Sequence, residues 1–162
     1  MAQGNRNIRV DLATQRLELL SEGQVLKRFL VSTSKYGAGE ISGSLKTPCG
    51  LHIIRAKIGE GQPLGAVFKG RRPTGEIYSE DLAQSQLGRD WILTRILWLS
   101  GTEVGRNRLG NVDTMRRYIY IHGAPSPEFL GEPHSIGCIR MSNQEVLELF
   151  DRVEIGTTVE IN

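Results

Sequence analysis

One stretch in the last third of the chain, residues 118–141, most constrains the fold and points to a reactive site. It opens with Tyr118–Ile121, which are β-branched or aromatic residues that favour a strand, and this strand runs directly into His122. A Gly- and Pro-rich loop over Gly123–Gly137 follows and ends at Cys138. A folded loop can bring a histidine at a strand end close to a cysteine at the loop's other end. The stretch therefore predicts a site built from these two side chains.

The rest of the chain has a mostly β pattern with little helix. Ser142 and Glu145 form a capping box that predicts one helix over Asn143–Val153. We expect the segment Ser34–Gly50 to be too polar to pack and to border the site. Gly59–Arg89 is long and mixed, which is typical of functional lids or disordered loops. Alternating or β-rich runs predict strands over residues 7–12, 16–20, 25–33, 51–58, 91–99 and 157–161.

Composition bounds the class of protein and its partners. The 162 residues, 39% hydrophobic and 23% charged, fit a single globular domain over residues 1–162. A net charge of +2 without a basic face carrying aromatic platforms excludes a typical nucleic-acid binder, whereas an anionic small substrate fits. No run approaches the length that spans a membrane, so we expect no membrane partner. The sequence leaves the oligomeric state open.

The start of the chain predicts a compartment. Residues 1–10 lack the apolar core and small-residue cleavage site of an export leader. We therefore expect a cytoplasmic location, or a periplasmic one if the natural chain begins earlier. A reducing compartment disfavours a disulfide between Cys49 and Cys138, as does a catalytic role for either thiol.

The residue types around the loop's end suit nucleophilic catalysis. A free thiol such as Cys138 is a weak nucleophile until a base such as His122 takes its proton, and the pair needs no metal or cofactor. Successive backbone N–H groups of Ile136, Gly137 and Cys138 are candidate donors to a developing oxyanion. Arg140 can hold a carboxylate through two parallel hydrogen bonds. This pattern favours a cysteine enzyme without a cofactor.

Two separated motifs resemble the signature of the L,D-transpeptidase catalytic domain family (YkuD-type). They are His122-Gly123 with Ser135-Ile136-Gly137-Cys138-Ile139-Arg140, and the earlier Thr47-Pro48-Cys49-Gly50. The resemblance covers nearly the whole chain and implies a mainly β fold, a β-sandwich of mixed sheets with a short helix after the cysteine. One departure is Ile136, since many family members have a second histidine at this position. The role of that second histidine is then absent here or has moved to His134.

The same resemblance implies a mechanism on peptidoglycan stem peptides. The thiolate of Cys138 attacks the carbonyl at the L-centre of a diamino acid and expels the terminal D-alanine. His122 acts as base and then as acid, and the backbone carbonyl of Gly123 orients its imidazole. The resulting thioester is resolved by an amine, which gives a cross-link, or by water, which gives a trimmed peptide.

Other side chains are assigned by position, and some carry an alternative interpretation. Arg140, Ser135, Tyr120 and His134 are predicted to contact substrate. Trp91 and Trp98 are predicted to be core residues, His52 to be a packing residue, and Cys49 to be an incidental small residue. Cys49, His52, His134 and Cys138 also form a ligand set of the kind that zinc prefers, but their spacing and the adjacent Arg140 oppose a metal site.

The acyl acceptor separates the remaining functional hypotheses. A cytoplasmic protein meets soluble stem tetrapeptide and water, so we expect an L,D-carboxypeptidase that removes the terminal D-alanine during peptidoglycan recycling. An exported protein would favour an L,D-transpeptidase that forms 3-3 cross-links or attaches proteins to peptidoglycan. The third hypothesis is a module that binds cell-wall fragments without turnover.

Overall fold

A computed structural model describes residues 5–125 and 127–162 as a mainly β domain. These residues contain ten strands and two α-helices, with short 3₁₀ turns at Gly110–Val112 and Pro127–Phe129. The elements are β1 Arg6–Asp11, β2 Arg16–Ser21, β3 Gln24–Leu30, β4 Gly50–Ile58, β5 Ala66–Lys69, β6 Arg72–Ile77, α1 Glu80–Ser85, β7 Ile92–Gly101, β8 Tyr120–Ala124, β9 Ile139–Ser142, α2 Asn143–Arg152 and β10 Thr158–Ile161. The predicted mainly β class with one short helix after the cysteine is confirmed.

The strands form a mixed, curled sheet. Its main path runs β3-β2-β1-β10-β4-β7, with parallel pairing only between β1 and β10 along it. Leu93 in β7 pairs with both β5 and β8, so these two strands lie on opposite edges of β7. β8 then pairs with β9 in parallel. The curl closes where Ser32, just after β3, exchanges two backbone hydrogen bonds of 2.9 Å with Arg140 in β9.

The apolar core lies inside this curl and is covered by α2. The helix begins at its N-cap Ser142, whose hydroxyl accepts the Glu145 N–H at 3.2 Å, as the capping box predicts. Its buried face, Val146, Leu149 and Phe150, packs on β7, β8 and β9. A fully buried apolar side chain of this size contributes about 1.5–3 kcal/mol. Packing of α2 therefore stabilises the positions of β8 and β9, the strands at which the predicted catalytic residues lie.

Two expectations about loops are wrong. Gly59–Arg89 contains an ordered β-hairpin, β5–β6, followed by α1, so the disordered alternative is wrong, whereas a functional role stays a prediction. The elements were missed because strands of four and six residues joined by a two-residue turn leave too short a pattern to recognise. The segment Ser34–Gly50 does border the site, but it is not too polar to pack. Ser34 and Thr47 in it are buried and hydrogen-bonded to each other.

The two tryptophans are also placed differently from the prediction. Trp91 and Trp98 are half-buried rather than core residues. Trp98 donates its indole N–H to the Met115 carbonyl at 3.1 Å and packs edge-on to Tyr120, with ring centroids 6.0 Å apart. Trp91 lines a cleft, whereas Trp98 packs at the edge of a small apolar cluster that includes Ile96 and Tyr120. Within the described ranges, neither helix has the length or apolar content needed to cross a bilayer.

Candidate active site

The parallel pairing of β8 with β9 brings the predicted site residues to one face of the sheet. His122 is registered opposite Arg140, and Ile121 is opposite Ile139. Side chains alternate along a strand, so Ile121 and Ile139 enter the core while His122 and Arg140 face the other side. Cys138 directly precedes β9 and faces the same side. A cleft of about 440 Å³ on this face is lined by both Cys138 and His122.

The Cys138 thiol is half-buried and is held by the backbone of the neighbouring strand. Its sulfur accepts the Tyr120 N–H at 3.3 Å, and its S–H donates to the Tyr118 carbonyl at 3.4 Å. Burial raises the pKa of Cys138 to about 12, although the Tyr120 N–H and the positive charges of Arg140 and Arg117 oppose that shift. Cys138 is therefore a neutral thiol at rest, and it would have to lose its proton in order to act as the predicted nucleophile.

His122 lines the same cleft as Cys138 and is the predicted acceptor of that proton. The ring is buried, and its Nδ1 lies 2.7 Å from the carbonyl oxygen of Gly123, which fixes the Nδ1–H tautomer and leaves Nε2 as the acceptor. This is the contact that the family resemblance implies. Burial lowers the pKa of His122 below its ordinary value, so the ring is neutral at neutral pH. A neutral imidazole in the same cleft as a neutral thiol can act as a general base, and that role stays a prediction.

Gly123 is required for a steric reason as well. A Cβ at this position would meet the Leu93 carbonyl oxygen at 2.7 Å and would collide with the Asn143 side chain. Close approach of β7 and the start of α2 to the backbone thus leaves room only for glycine. The same approach fixes the carbonyl that holds His122.

The turn before the cysteine is held by the Ser135 hydroxyl. That buried hydroxyl donates to the Cys138 carbonyl at 2.6 Å and accepts the Gly137 N–H at 3.2 Å. Because the Gly137 N–H already has this partner, it is not free to hold an oxyanion in the resting structure. The N–H groups of Ile136 and Cys138 remain the predicted donors. A substrate contact by Ser135 also stays a prediction.

Thr47 braces the same turn from the other motif, and the sequence assigned it no role. Its buried hydroxyl donates to the Gly137 carbonyl at 2.9 Å and accepts the Ser34 N–H at 3.0 Å. The sequence did contain a signal for this role, because Thr47 belongs to the motif Thr47-Pro48-Cys49-Gly50 on which the family resemblance partly rests. The second motif therefore acts by positioning the cysteine turn.

Arg140 is placed between two clefts and has a partner. Its guanidinium lies 3.1 Å from the Asp90 carboxylate, a residue that the sequence did not single out. Arg140, Asp90 and Ile136 also line a neighbouring cleft of about 450 Å³. The two clefts adjoin along these three residues. A substrate carboxylate at Arg140 would have to compete with Asp90.

Tyr120 and His134, both predicted to contact substrate, lie in different places. Tyr120 lines the cleft of Cys138. His134 lies in the neighbouring cleft, where its Nε2 is 3.2 Å from a Glu132 carboxylate oxygen and its ring packs on Phe129 at 4.9 Å between centroids. His134 is therefore a residue of the adjoining cleft, and its predicted contribution to Cys138 chemistry is indirect.

The residues of the alternative zinc set are not brought together. Within residues 5–125 and 127–162, no group of three or more His, Cys, Asp or Glu side chains is arranged to hold a metal ion. His52 is buried, with its two ring nitrogens 3.0 Å from the Gly50 carbonyl and 3.0 Å from the Thr114 hydroxyl. Burial lowers the pKa of His52 to about 4. Cys49 and Cys138 are both free thiols.

Alkylation of Cys138 is expected to report its raised pKa. At pH 8 a thiol of pKa about 12 holds roughly 10³-fold less thiolate than an ordinary free cysteine. In the Cys49→Ala protein, iodoacetamide should therefore modify Cys138 far more slowly than it modifies free cysteine. The rate should rise about tenfold per pH unit up to pH 10, as followed by intact-protein mass. An alkylation rate that stays constant above pH 7 would instead show that Cys138 and His122 form a thiolate–imidazolium pair.

Comparison with known proteins identifies the family and related folds. A model of the L,D-transpeptidase catalytic domain (YkuD) matches residues 5–161. The protein YkuD of Bacillus subtilis is 45% identical over 47 residues, which is 29% of this chain and 29% of that protein. An L,D-transpeptidase from Xylanimonas cellulosilytica superposes with a TM-score of 0.63 at 19% identity, covering 99% of this chain and 62% of the other.

A mutant of the Enterococcus faecium L,D-transpeptidase shares the fold as well. It superposes with a TM-score of 0.59 at 19% identity over 98% of this chain. This chain covers 50% of that structure. The chain thus spans only part of the length of the relatives that it matches.

Proposed function

Because the chain belongs to the L,D-transpeptidase catalytic domain family, we propose that it transfers the acyl group of a peptidoglycan stem peptide through a thioester on Cys138. The observation that carries this proposal is the shared cleft of Cys138 and His122. In it, the Gly123 carbonyl at 2.7 Å from Nδ1 leaves Nε2 of His122 to act as the base. That arrangement needs neither a metal nor a third acidic side chain.

Acylation proceeds with a balanced movement of one proton. The sulfur of Cys138 bonds to the carbonyl carbon at the L-centre of the diamino acid as Nε2 of His122 takes the thiol proton. The N–H groups of Ile136 and Cys138 receive the developing oxyanion. When the tetrahedral intermediate collapses, the carbon–nitrogen bond to D-alanine breaks and His122 gives its proton to the leaving amine.

The second half of the reaction returns the enzyme to its resting state. The acceptor loses a proton to His122 as it attacks the thioester carbonyl. When the tetrahedral intermediate collapses, the carbon–sulfur bond breaks and that proton returns to the sulfur of Cys138. The neighbouring cleft of about 450 Å³ adjoins the site along Asp90, Ile136 and Arg140, and it supports an amine acceptor held there. We therefore propose transpeptidation as the principal reaction.

Hydrolysis is the second candidate, and one observation favours it. Residue Cys138 as a whole is only half-buried, and this partial exposure favours water as the acceptor. Acyl transfer to water gives the L,D-carboxypeptidase reaction on soluble tetrapeptide. Peptidoglycan recycling and a cytoplasmic location are proposed together with this reaction, since the strands that a transpeptidase joins lie outside the membrane.

Product analysis distinguishes the proposals. The protein is incubated with stem tetrapeptide, alone and with an excess of acceptor amine, and the products are identified by mass spectrometry. We expect exchanged or cross-linked peptide to dominate when the amine is present. Tripeptide as the dominant product in both mixtures would establish the hydrolase instead. Unchanged peptide mass in both mixtures would leave the binding module, and the Cys138→Ala protein is the matched blank.

A further inference from the structure

The tip of the β5–β6 hairpin carries an arginine in a constrained backbone conformation at the cleft of Cys138. The two-residue turn, Gly70-Arg71, has positive φ at both positions, 56° and 64°. This turn is common in hairpins, but its second position favours glycine, and an arginine there is strained. Strained residues cluster at functional sites. Arg71 lines the same cleft as Cys138 and His122.

Three aromatic side chains hold the Arg71 guanidinium. It lies over the Trp98 ring at 4.9 Å and over the Tyr118 ring at 4.7 Å, and it donates a hydrogen bond of 3.1 Å to the Tyr120 hydroxyl. Aromatic faces and a phenol fix the plane of a guanidinium without neutralising its charge. No carboxylate forms a salt bridge with Arg71 in the part of the chain that the structure describes.

The other two arginines of this cleft are already engaged. Arg140 pairs with Asp90 at 3.1 Å. Arg117 donates to the backbone carbonyls of Gly39 at 3.2 Å and Lys46 at 2.6 Å, so it braces the loop before β4. Arg71 is therefore the cation of the cleft whose charge has no anionic or carbonyl partner among the described residues.

The thiol and this cation share their supports. The backbone groups of Tyr118 and Tyr120 hold the sulfur of Cys138, while the side chains of the same two tyrosines hold Arg71. The position of the cation relative to the nucleophile is thus set by two residues. An anionic group of the substrate bound at Arg71 would therefore be held at a fixed distance from the carbonyl carbon that the thiol attacks.

We propose that Arg71 binds a carboxylate of the acyl donor and makes the enzyme select donors that carry this carboxylate in its free form over their amides. The inference rests on the proposed function, because it takes a stem peptide as the donor. Such a peptide presents its terminal carboxylate and, where the diamino acid has one, a carboxylate on the diamino-acid side chain. Both offer the same paired oxygen acceptors to a guanidinium.

Binding to the Cys138→Ala protein tests the inference without turnover. Calorimetry is carried out with three tetrapeptides: the free acid, the peptide amidated at its terminus, and the peptide amidated on the diamino-acid side chain. We expect the free acid to bind about 10- to 100-fold more tightly than one of the two amides. The amide that loses affinity identifies which carboxylate Arg71 holds.

Variants then assign the preference to Arg71. In the same background, Arg71→Ala should lower the affinity for the free acid to that of the disfavoured amide, and Arg71→Lys should restore part of it. Arg72→Ala is the matched control, because Arg72 is the exposed next residue of the same hairpin and should leave the preference intact. A thermal melt of each variant confirms that the domain is folded.

The outcomes separate this inference from the proposed function. An undiminished preference for the free acid in folded Arg71→Ala would overturn the inference, as would failure of the free acid to bind. If the preference depends on Arg71 but the unmutated enzyme leaves every peptide unchanged, the inference stands and acyl transfer is wrong. Turnover of the acid and both amides at equal kcat/KM would overturn the inference alone.

Discussion

Cys138→Ala is expected to lower the turnover of stem peptide by on the order of 10⁴-fold or more, because it removes the sulfur atom that forms the thioester. The protein should stay folded, with a change in stability of roughly 1 kcal/mol, since a half-buried side chain is replaced by one of similar size. Release of D-alanine from tetrapeptide measures the first effect and a thermal melt measures the second.

Cys49→Ala is the matched control for the thiol. Cys49 is half-buried next to Glu40, whose Oε2 accepts its backbone N–H at 3.3 Å, and it does not line the cleft of Cys138. The variant should therefore retain most activity. Activity that persists in Cys138→Ala and disappears in Cys49→Ala would show that the nucleophile is assigned to the wrong cysteine.

His122→Gln should lower kcat by about 10²- to 10⁴-fold through loss of the base. The decrease in kcat should be severe because burial keeps the pKa of the Cys138 thiol high, so that only a small fraction of the thiol is ionised without a base. The lowered pKa of His122 also fixes the pH dependence. The base form persists as pH falls through 6.5, and activity should decline only as pH passes through the lower pKa of the folded protein.

His134→Gln is the control for that experiment. His134 lies in the neighbouring cleft beside Glu132 and Phe129, so its loss should reduce kcat by about tenfold or less. Equal losses for the two histidine variants would mean that both share the role of base. An acid limb above pH 6.5 in the unmutated enzyme would contradict the neutral, buried state of His122.

The central strands and the cysteine turn could be predicted because their signals are local. A β-rich run into His122 and a capping box at Ser142 each lie within a few residues. Local patterns of this kind predict the structure that the same residues adopt in the folded protein. The start of β8 shifted by two residues because Tyr118 adopts φ 55°, outside the strand region. Strand ends are set by tertiary contacts that the pattern does not contain.

The rest of the site depends on contacts between segments far apart in sequence. Thr47 meets Gly137 across 90 positions, Asp90 meets Arg140 across 50, and Arg71 meets Tyr120 across 49. No periodicity or motif spacing encodes such pairs in a single sequence. The Gly-Arg turn also lacks the Asn-Gly signal typical of two-residue hairpins, so Arg71 could not be placed at the cleft.

The position of β10 has a consequence for the order of synthesis and folding. This strand, Thr158–Ile161, is the last one described, yet it lies between β1 and β4 in the middle of the sheet. While a ribosome is still making the chain, β1 and β4 therefore have no partner on their inner edges. The gap between β1 and β4 is therefore filled only once residues 158–161 have emerged. Until then two open strand edges are exposed, and this is the stage at which a chaperone would be needed.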